Sequence, residues 1–402
     1  MARPTVADEV HAYLAGRGAN PWERARNEAP VFHSEVLGAA VVSRWEDVAK
    51  VLQDEETYHH VTTGPGSPVF RGSLLEMTGE EHRRKVGVLG RRLKSRGSLE
   101  AVVARVAQAH LGRRIEHLRR GPSRVDLAAE LNEPFPLQVI AELVAIPEAE
   151  RFRGWYRAIA AAGAGNPTGD PKVRRAGECA RDDLYDFVEP IIESRREAPG
   201  DDLLSDLVST AYEGERLSVD EVKSFLALIL TGGVETTARS LTSLQRHLFD
   251  DPSLWETLRA DRELIVPACA EALRLYAPVP GLMRRVVQDT ELAGRTLRAG
   301  SKVYVSIVSA NRDERKFPDP AAFQVDRFRE TADRQFSPRA DLLSFGGGRH
   351  FCTGALLAKL EMQMATDALL DNLRGAEVIE ATTKGDGVLG QDNRLLVDLR
   401  FN

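Results

Sequence analysis

The chain has 402 residues, of which 43% are hydrophobic, and its formal net charge at pH 7 is -6. The hydrophobic content is enough for a sizeable core. The mildly acidic charge argues against binding to nucleic acid or to an anionic membrane surface. At ~150 residues per domain, this length allows two or three domains.

The three cysteines, Cys179, Cys269 and Cys352, are far apart and none belongs to a CxxC pair. This spacing argues against a disulfide framework or a zinc knuckle and favours a reducing compartment. The first residues lack an apolar run long enough for a signal peptide or a membrane anchor. We therefore expect a cytoplasmic protein.

Helical spacing dominates the sequence, with short β-rich segments at 39–43, 286–305 and 394–401. No repeat and no low-complexity linker divides the chain. We predict a mainly α fold with small antiparallel β-sheets, formed by residues 1–402 as a single domain. Residues 59–73 and 311–343 are predicted to be long loops, which in compact proteins are usually functional.

A basic segment, HRRKVGVLGRRLKSR, begins at His82. Such a run is usually the solvated face of a helix. Because the whole chain is acidic, the segment could also dock an acidic electron-transfer protein. Nucleic acid is a weaker candidate, since no aromatic residues are interleaved with the charges.

A long amphipathic helix is predicted over 217–248, with a capping box formed by Ser218 and Glu221. Gly232 and Gly233 interrupt its apolar face, and each costs about 1 kcal/mol relative to Ala. Glycines at these positions allow a ligand or another helix to approach the backbone closely. The pattern alone favours another helix. A threonine hydroxyl in the following Glu235-Thr236-Thr237 can bond a carbonyl one turn back and open the helix.

The segment PACAEALRLYAPVP predicts a helix between Pro267 and Pro278 that places Glu271 and Arg274 on one face. On a surface, such an i,i+3 ion pair contributes roughly 0.2–0.5 kcal/mol. The spacing alone is a weak signal for function.

The stretch FGGGRHFCTG, residues 345–354, precedes a predicted helix. A cysteine just before a helix faces unpaired N–H groups and the positive end of the dipole, which favour a thiolate. Glycines let the backbone approach a flat partner. From these residues alone, a phosphate-binding loop, a nucleophilic cysteine with His350 as base, and a metal ligand all stay open.

FGGGRHFCTG resembles the haem-binding signature of the cytochrome P-450 family, F-G-x-G-x-H-x-C-x-G. The resemblance implies that Cys352 is the axial thiolate on the haem iron and that His350 donates to a haem propionate. The other defined positions, which frame the loop, are Phe345, Gly346, Gly348 and Gly354. It also implies haem b, iron protoporphyrin IX, as the cofactor.

GGVETT resembles the oxygen-activation motif of the same family. Carried over, Thr236 donates a hydrogen bond to the oxygen being activated, and Glu235 connects it to solvent protons. RRVVQDTEL resembles a family strand whose arginine pairs with a propionate, here Arg284 with Arg285 as the alternate. His82 and Arg84 fit the family pattern H-x-R-x-R, but Val86 stands where its second arginine binds a propionate.

EALR and FPDPAAFQVDRF resemble the segments that form a buried ion-pair network in this family. The implied members are Glu271, Arg274 and Arg327. Their role is structural, and loss of one member leaves an unpaired buried charge.

The resemblance, from His82 to Gly354, implies a monooxygenase that inserts one atom of O2 into a small apolar substrate by hydroxylation or epoxidation. Electrons from NAD(P)H would arrive through a reductase and a ferredoxin-type donor, and we expect a monomer. A secondary-metabolite intermediate is one candidate substrate. The pocket is expected to be lined by Phe70, Leu228, Ile229, Gly232, Val279, Leu282 and Met283, with residues 155–170 nearby.

Two alternatives remain open at this point. One is a member of the family that catalyses oxidative coupling, isomerisation or dehydration; the other is a haem-binding sensor without turnover.

Overall fold

A computed structural model of the chain describes residues 4–14, 19–60, 68–70, 72–146, 149–163, 170–212, 215–382 and 393–402. The predicted mainly α fold is confirmed, since 60% of the structure is helical. In the described ranges, no helix is both long enough and apolar enough to span a bilayer.

In chain order, the helices of the described residues are α1 (Val6–Leu14), α2 (Trp22–Glu28), α3 (Trp45–Gln53), α4 (Gly79–Leu93), α5 (Arg96–Val106), α6 (Gly112–Arg120), α7 (Pro134–Leu143), α8 (Ala149–Ala162), α9 (Pro171–Glu197), α10 (Leu203–Ser209), α11 (Val219–Gly233), α12 (Glu235–Asp250), α13 (Pro252–Ala260), α14 (Ile265–Leu275), α15 (Ile307–Ala310) and α16 (Ala355–Asn372).

The strands are short. They are β1 (Val31–Ser34), β2 (Ala39–Val42), β3 (Tyr58–His60), β4 (Arg124–Asp126), β5 (Ala211–Tyr212), β6 (Glu215–Arg216), β7 (Gly281–Val286), β8 (Thr290–Leu292), β9 (Arg295–Leu297), β10 (Lys302–Ser306), β11 (Leu373–Ala381) and β12 (Leu395–Phe401). The largest sheet has the order β1-β2-β10-β7-β3.

This largest sheet differs from the expected all-antiparallel arrangement. Strand β10 pairs with β2 in parallel and with β7 antiparallel, so the sheet is mixed. The two parallel strands are separated by most of the chain, and nothing in their local sequence signals that pairing. Strands β2, β8, β9, β10 and β12 lie in the predicted β-rich segments, and β7 ends at the start of one. Strands β1, β3 to β6 and β11 lie outside them, and β3 ends within the predicted loop 59–73.

The predicted long helix is two helices. Ser218 and Glu221 form the predicted capping box at the start of α11. The helical ladder is interrupted at Val234, which separates α11 from α12. Thr236 Oγ1 donates to the carbonyl of Gly232, 2.5 Å away, as expected for a hydroxyl that competes for a carbonyl one turn back.

The core has two parts. The larger packs α5, α7 to α14 and α16 around side chains such as Phe135, Phe225 and Leu241. The smaller lies between the largest sheet and α1 to α3, around Trp22 and Val303. Helix α12 packs against both α14 and α16. This packing brings the helical break, the EALR helix and the helix after Cys352 into one region.

Candidate active site

The cysteine loop is a tight turn that depends on two of its glycines. Gly346 and Gly348 have φ angles of +72° and +63°, which side chains rarely adopt. A side chain at Gly348 would also place its Cβ 2.4 Å from the carbonyl oxygen of Leu52 in α3. The amide of Cys352 donates to the carbonyl of Phe345 over 2.9 Å and closes the loop. Gly348 is therefore required for packing against α3.

Cys352 lies three residues before α16, which begins at Ala355 as the sequence predicted. Its side chain is accessible to solvent, yet protein atoms surround it on most sides. Burial raises the pKa of the Cys352 thiol, and the backbone N–H of Gly354 opposes that shift. The N–H group at the helix start acts in the expected direction, and a cation on sulfur would favour the thiolate further.

Arg284 is almost fully buried on β7, whereas its neighbour Arg285 is exposed. Its guanidinium donates to the carbonyl of Met283, and no carboxylate of the described residues forms an ion pair with it. Burial lowers the pKa of Arg284 to about 10, with Glu55 opposing the shift, so the side chain stays cationic at neutral pH. A buried, unpaired cation is a site for an anion.

His82 and His350 lie next to each other, with ring centroids 4.1 Å apart. His82 is buried on α4, and His350 Nε2 is buried without a hydrogen-bond partner. Glu55 lies 3.6 Å from that nitrogen and accepts from Arg349 over 2.9 Å. Sequence reasoning missed Glu55, which no local pattern distinguishes.

Arg84 does not share this face of α4. At about 100° per residue it is turned about 200° from His82, whereas Val86 returns to within about 40°. Arg84 acts on the charge of Glu80, as does Arg349 of the cysteine loop. A propionate contact by Arg84 stays a prediction.

Part of the basic segment after His82 is paired with carboxylates. Arg83 pairs with Glu80 over 2.5 Å. Lys85 pairs with Glu81 and with Glu221, which belongs to α11. Arg92 pairs with Asp206 and Asp201, at 2.6 and 2.7 Å. These ion pairs reduce the positive surface that the sequence suggested as a docking patch.

The two glycines before the helical break have different surroundings. A Cβ at Gly232 would meet no atom within 4 Å, whereas a Cβ at Gly233 would lie 2.9 Å from Ile140 Cδ1 in α7. Gly232 therefore borders open space, and Gly233 is a helix-packing contact. The open space at Gly232 agrees with the interpretation that a ligand approaches the backbone. The contact of Gly233 with Ile140 agrees with the interpretation that another helix packs there.

Glu235 is buried and forms an ion pair with Arg239 one turn later in α12, at 2.9 Å. Both side chains are about nine-tenths buried. The structure adds Arg239 as a partner of Glu235, and the connection from Glu235 to solvent protons stays a prediction. The i,i+4 spacing of Glu235 and Arg239 was the signal that could have identified this partner.

The EALR helix forms the ion-pair network that the sequence implied. Arg274 donates to both oxygens of Glu271, at 2.7 and 2.8 Å, and Arg327 donates to them at 3.0 and 3.1 Å. Glu271 and Arg274 are fully buried. Helix α14 begins at Ile265, so Pro267 lies in its first turn, and it ends at Leu275, three residues before Pro278.

Two polar residues that sequence reasoning missed connect this network to the cysteine loop. Arg274 donates to the carbonyl of Asn311, whose side chain bonds the Leu343 amide and the Ser344 hydroxyl. Ser344 in turn donates to the carbonyl of Leu273. Ser344 immediately precedes Phe345, so the network holds the start of the loop.

Only part of the predicted pocket lining lies within the described residues. Phe70, Leu228, Ile229, Val279 and Leu282 are half-buried, as expected for side chains that line a cavity. Part of the predicted lining, residues 61–67, 71 and 164–169, lies outside the described residues.

Met283 lies on the opposite face of β7 from Leu282, because successive strand residues alternate. It is paired with Tyr304 across β10. Leu282 instead points toward the cysteine loop, since its Cδ1 would lie 3.8 Å from a Cβ at Gly346. We therefore leave Met283 out of the proposed pocket.

A buried carboxyl group, Glu361 in α16, was also missed. Neither of its oxygens has a hydrogen bond of normal geometry in the described structure, and its nearest polar interaction is with the Thr237 hydroxyl of α12. Burial raises the pKa of Glu361 well above its usual value, and Thr237 opposes the shift only partly. The side chain is therefore kept neutral between two packed helices.

Glu361→Gln is expected to stabilise the protein increasingly as pH rises. Above about pH 4.3, the unfolded chain ionises Glu361 while the folded chain keeps its proton, so wild-type stability falls with pH. The difference between variant and wild type should grow by about 1.4 kcal/mol per pH unit until the folded-state pKa is reached. Urea unfolding of both proteins between pH 4 and 8 measures it. A difference that is constant over this range would show that Glu361 is charged in the folded protein.

The site fits a planar, anionic, iron-containing group. It offers one thiol above a glycine loop, a buried cation with no counter-ion, and two partnerless ring nitrogens, His60 Nδ1 and His350 Nε2. Gly232, which lies two residues before the helical break at Val234, borders open space. A helical fold with this combination defines the class of haem-thiolate oxidoreductases.

Comparison with known proteins agrees with this class. The family described as cytochrome P-450 matches residues 170–384. The chain is 31% identical to cyclomarin C epoxidase of Salinispora arenicola, over 90% of this chain and 91% of the relative. It is 32% identical to a methyl-branched lipid omega-hydroxylase of Mycobacterium tuberculosis, over 91% of this chain and 80% of the relative.

Among solved structures, a cytochrome P-450 of Bacillus megaterium in complex with testosterone superposes with a TM-score of 0.78 at 27% identity. The similarity covers 94% of this chain and 99% of the other. The chain belongs to the cytochrome P-450 family, and it is a haem-binding monooxygenase.

Proposed function

We propose that Cys352 supplies the axial thiolate to haem b in a single domain formed by residues 1–402. Arg284, His82 and His350 would hold the propionates. Arg284 is a buried cation, His350 Nε2 is buried without a hydrogen-bond partner, and the ring of His82 lies beside that of His350. The position of Cys352 is fixed by the conformation of the loop, through Phe345, Gly346, Gly348 and Gly354. When bound, the haem supplies the activation of O2 and the transfer of one oxygen atom.

The break between α11 and α12 delivers protons to the reacting oxygen. Thr236 is half-buried at the break and its hydroxyl now donates to Gly232. By rotating away from that carbonyl, the hydroxyl can donate to a small molecule in the open space beside Gly232. Glu235 returns a proton to Thr236 when it leaves Arg239 and reaches water. Arg239 therefore controls when Glu235 is available.

The substrate is a small apolar molecule, which is hydroxylated or epoxidised. The support is that the apolar side chains Leu228, Ile229, Val279 and Leu282 are half-buried and that Gly232 borders open space. Two relatives of the chain are an epoxidase and a hydroxylase, and one solved relative binds testosterone. A secondary-metabolite intermediate is one candidate substrate.

Two electrons are supplied in turn by a ferredoxin-type protein and its reductase, from NAD(P)H. Since part of the basic segment of α4 is paired with carboxylates, the donor meets a surface of mixed charge. We infer a monomer that works in the cytoplasm. Size-exclusion chromatography coupled to light scattering tests whether the protein is a monomer.

A ligand screen tests the proposed substrate class. Apolar compounds are titrated into the ferric protein, and the low-spin to high-spin shift of the Soret band reports entry into the pocket. Apolar ligands should give saturable shifts, whereas charged analogues of similar size should not. If the charged analogues bind and the apolar ones do not, the proposal of an apolar substrate is rejected.

Gly232→Ala is expected to reduce the affinity of the largest ligand found in that screen by about ten-fold or more. One added methyl in a pocket changes transition-state or ligand binding by about 1–3 kcal/mol. Unfolding stability should not fall, because the new Cβ meets no atom within 4 Å and Ala favours the helix.

Gly233→Ala is the matched control. Its Cβ would displace Ile140, so it should lower stability more than it changes ligand affinity. Equal affinities of wild type and Gly232→Ala for every ligand would place Gly232 away from the pocket.

A further inference from the structure

Helix α4 presents no cation at the position where the family pattern has its second arginine. Val86 occupies that position, one turn after His82 on the same face of the helix. Its side chain is half-buried and packs on the core. On an ideal helix Arg84 is turned about 200° from His82. Arg83 and Lys85 pair with carboxylates.

A histidine from another element lies beside the pair of rings formed by His82 and His350. His60, the last residue of β3, has its ring centroid 4.8 Å from that of His350, which itself contacts His82. In the sheet, His60 is paired with Arg284 and His59 with the exposed Arg285. Since paired residues share a face, His60 and Arg284 point to one side and His59 points to the other.

These side chains form a set of donors that lacks an acceptor. His60 Nδ1 and His350 Nε2 are buried without a hydrogen-bond partner, and Arg284 donates only to a carbonyl. Glu55 is the carboxylate that faces them, and it is already bound to Arg349. In the described part of the chain, no group of side chains is arranged to hold a metal ion. The missing partner is therefore an anion with hydrogen-bond acceptors.

We infer that His60 binds a haem propionate together with Arg284, in place of the arginine that Val86 replaces. The inference depends on haem binding at Cys352. Burial lowers the pKa of His60 well below its usual value, Arg284 and His350 add to the shift, and a hydrogen bond to the backbone of Leu75 opposes it. The negative charge of a propionate favours the protonated ring, in which both nitrogens donate. The local sequence around His60 indicates no such role, because His60 lies far from α4 in the chain and beside a Gly/Pro-rich loop.

Haem retention by the intact holoenzyme tests the inference. Haem release into excess apomyoglobin is followed by absorbance for wild type, His60→Phe, His60→Gln and His59→Phe. His60→Phe should release haem about ten-fold faster, the effect of one lost buried hydrogen bond. His60→Gln retains an N–H donor and should stay near wild type. His59→Phe is the matched control on the opposite face of β3 and should not change the rate.

Two further measurements separate a propionate contact from a packing role. The propionate bending band in the resonance Raman spectrum should shift in His60→Phe and not in His59→Phe. Introducing Val86→Arg into His60→Phe should slow haem release again, because a cation returns to the face of His82.

An unchanged release rate in His60→Phe would overturn the inference, as would equally fast release from His60→Gln or an unshifted propionate band. If His60→Phe keeps thiolate-type absorption while failing these tests, only the role of His60 is lost. If the wild type itself lacks thiolate-type absorption, the proposed function fails instead.

Discussion

Glu271→Gln is expected to lower the free energy of unfolding by about 3–5 kcal/mol, the cost of breaking a buried ion pair by removing one partner. Glu271 is fully buried and accepts from both Arg274 and Arg327. Its neutralisation leaves two buried guanidinium groups without a counter-charge. Because Arg274 also holds Asn311, the cysteine loop should loosen and haem content should fall with stability. Urea unfolding and the haem-to-protein ratio measure the two effects.

The matched control for this prediction is Glu150→Gln. Glu150 and Arg153 also form an i,i+3 pair on a helix, but one that is largely exposed. Its loss should change stability by less than about 1 kcal/mol. Arg327→Lys is a milder test at the buried site, because it keeps the charge and removes the bidentate geometry. Equal effects of Glu271→Gln and Glu150→Gln would mean that the network adds no more than a surface pair.

Thr236→Ala is expected to separate electron consumption from product formation. The hydroxyl at the helical break is the proposed proton donor to the reacting oxygen, and a positioned donor contributes about 10²–10⁴-fold. Product per NAD(P)H should therefore fall by about 10²-fold. Electrons should then leave as hydrogen peroxide. Both products can be measured in one reaction with a ferredoxin and a reductase.

Thr236→Ser is the matched control, because it keeps the hydroxyl on the same backbone. It should retain most of the coupling. Thr237→Ala serves as a second control, since Thr237 is buried against Glu361 rather than at the break. Unchanged coupling in Thr236→Ala would remove Thr236 from the proton path.

The sequence predicted the features that depend on short, ordered motifs. The helix after Gly354, the capping box at Ser218 and the strand positions depend on local periodicity and turn residues. The Glu271 network was also anticipated, because its three members lie in two recognisable segments. The helix, the capping box and the strands are determined by residues close together in the chain, whereas the network was implied by the family resemblance of its two segments.

The features that were missed depend on distant partners or on the direction of a side chain. Met283 fits its sequence pattern but lies on the opposite face of its strand from Leu282. Glu55, Ser344 and Glu361 gain their importance from contacts with residues far along the chain. These contacts are determined by the packing of the completed fold and not by a pattern of residue types.

Iron ligation by Cys352 is the central claim, and the absorbance spectrum of the reduced, CO-bound protein tests it most directly. Thiolate ligation should give a strongly red-shifted Soret band, because the thiolate donates electron density to the iron. Cys352→His should move the band to the position typical of imidazole-ligated haem. Wild-type protein that binds haem without the red-shifted band would contradict the account.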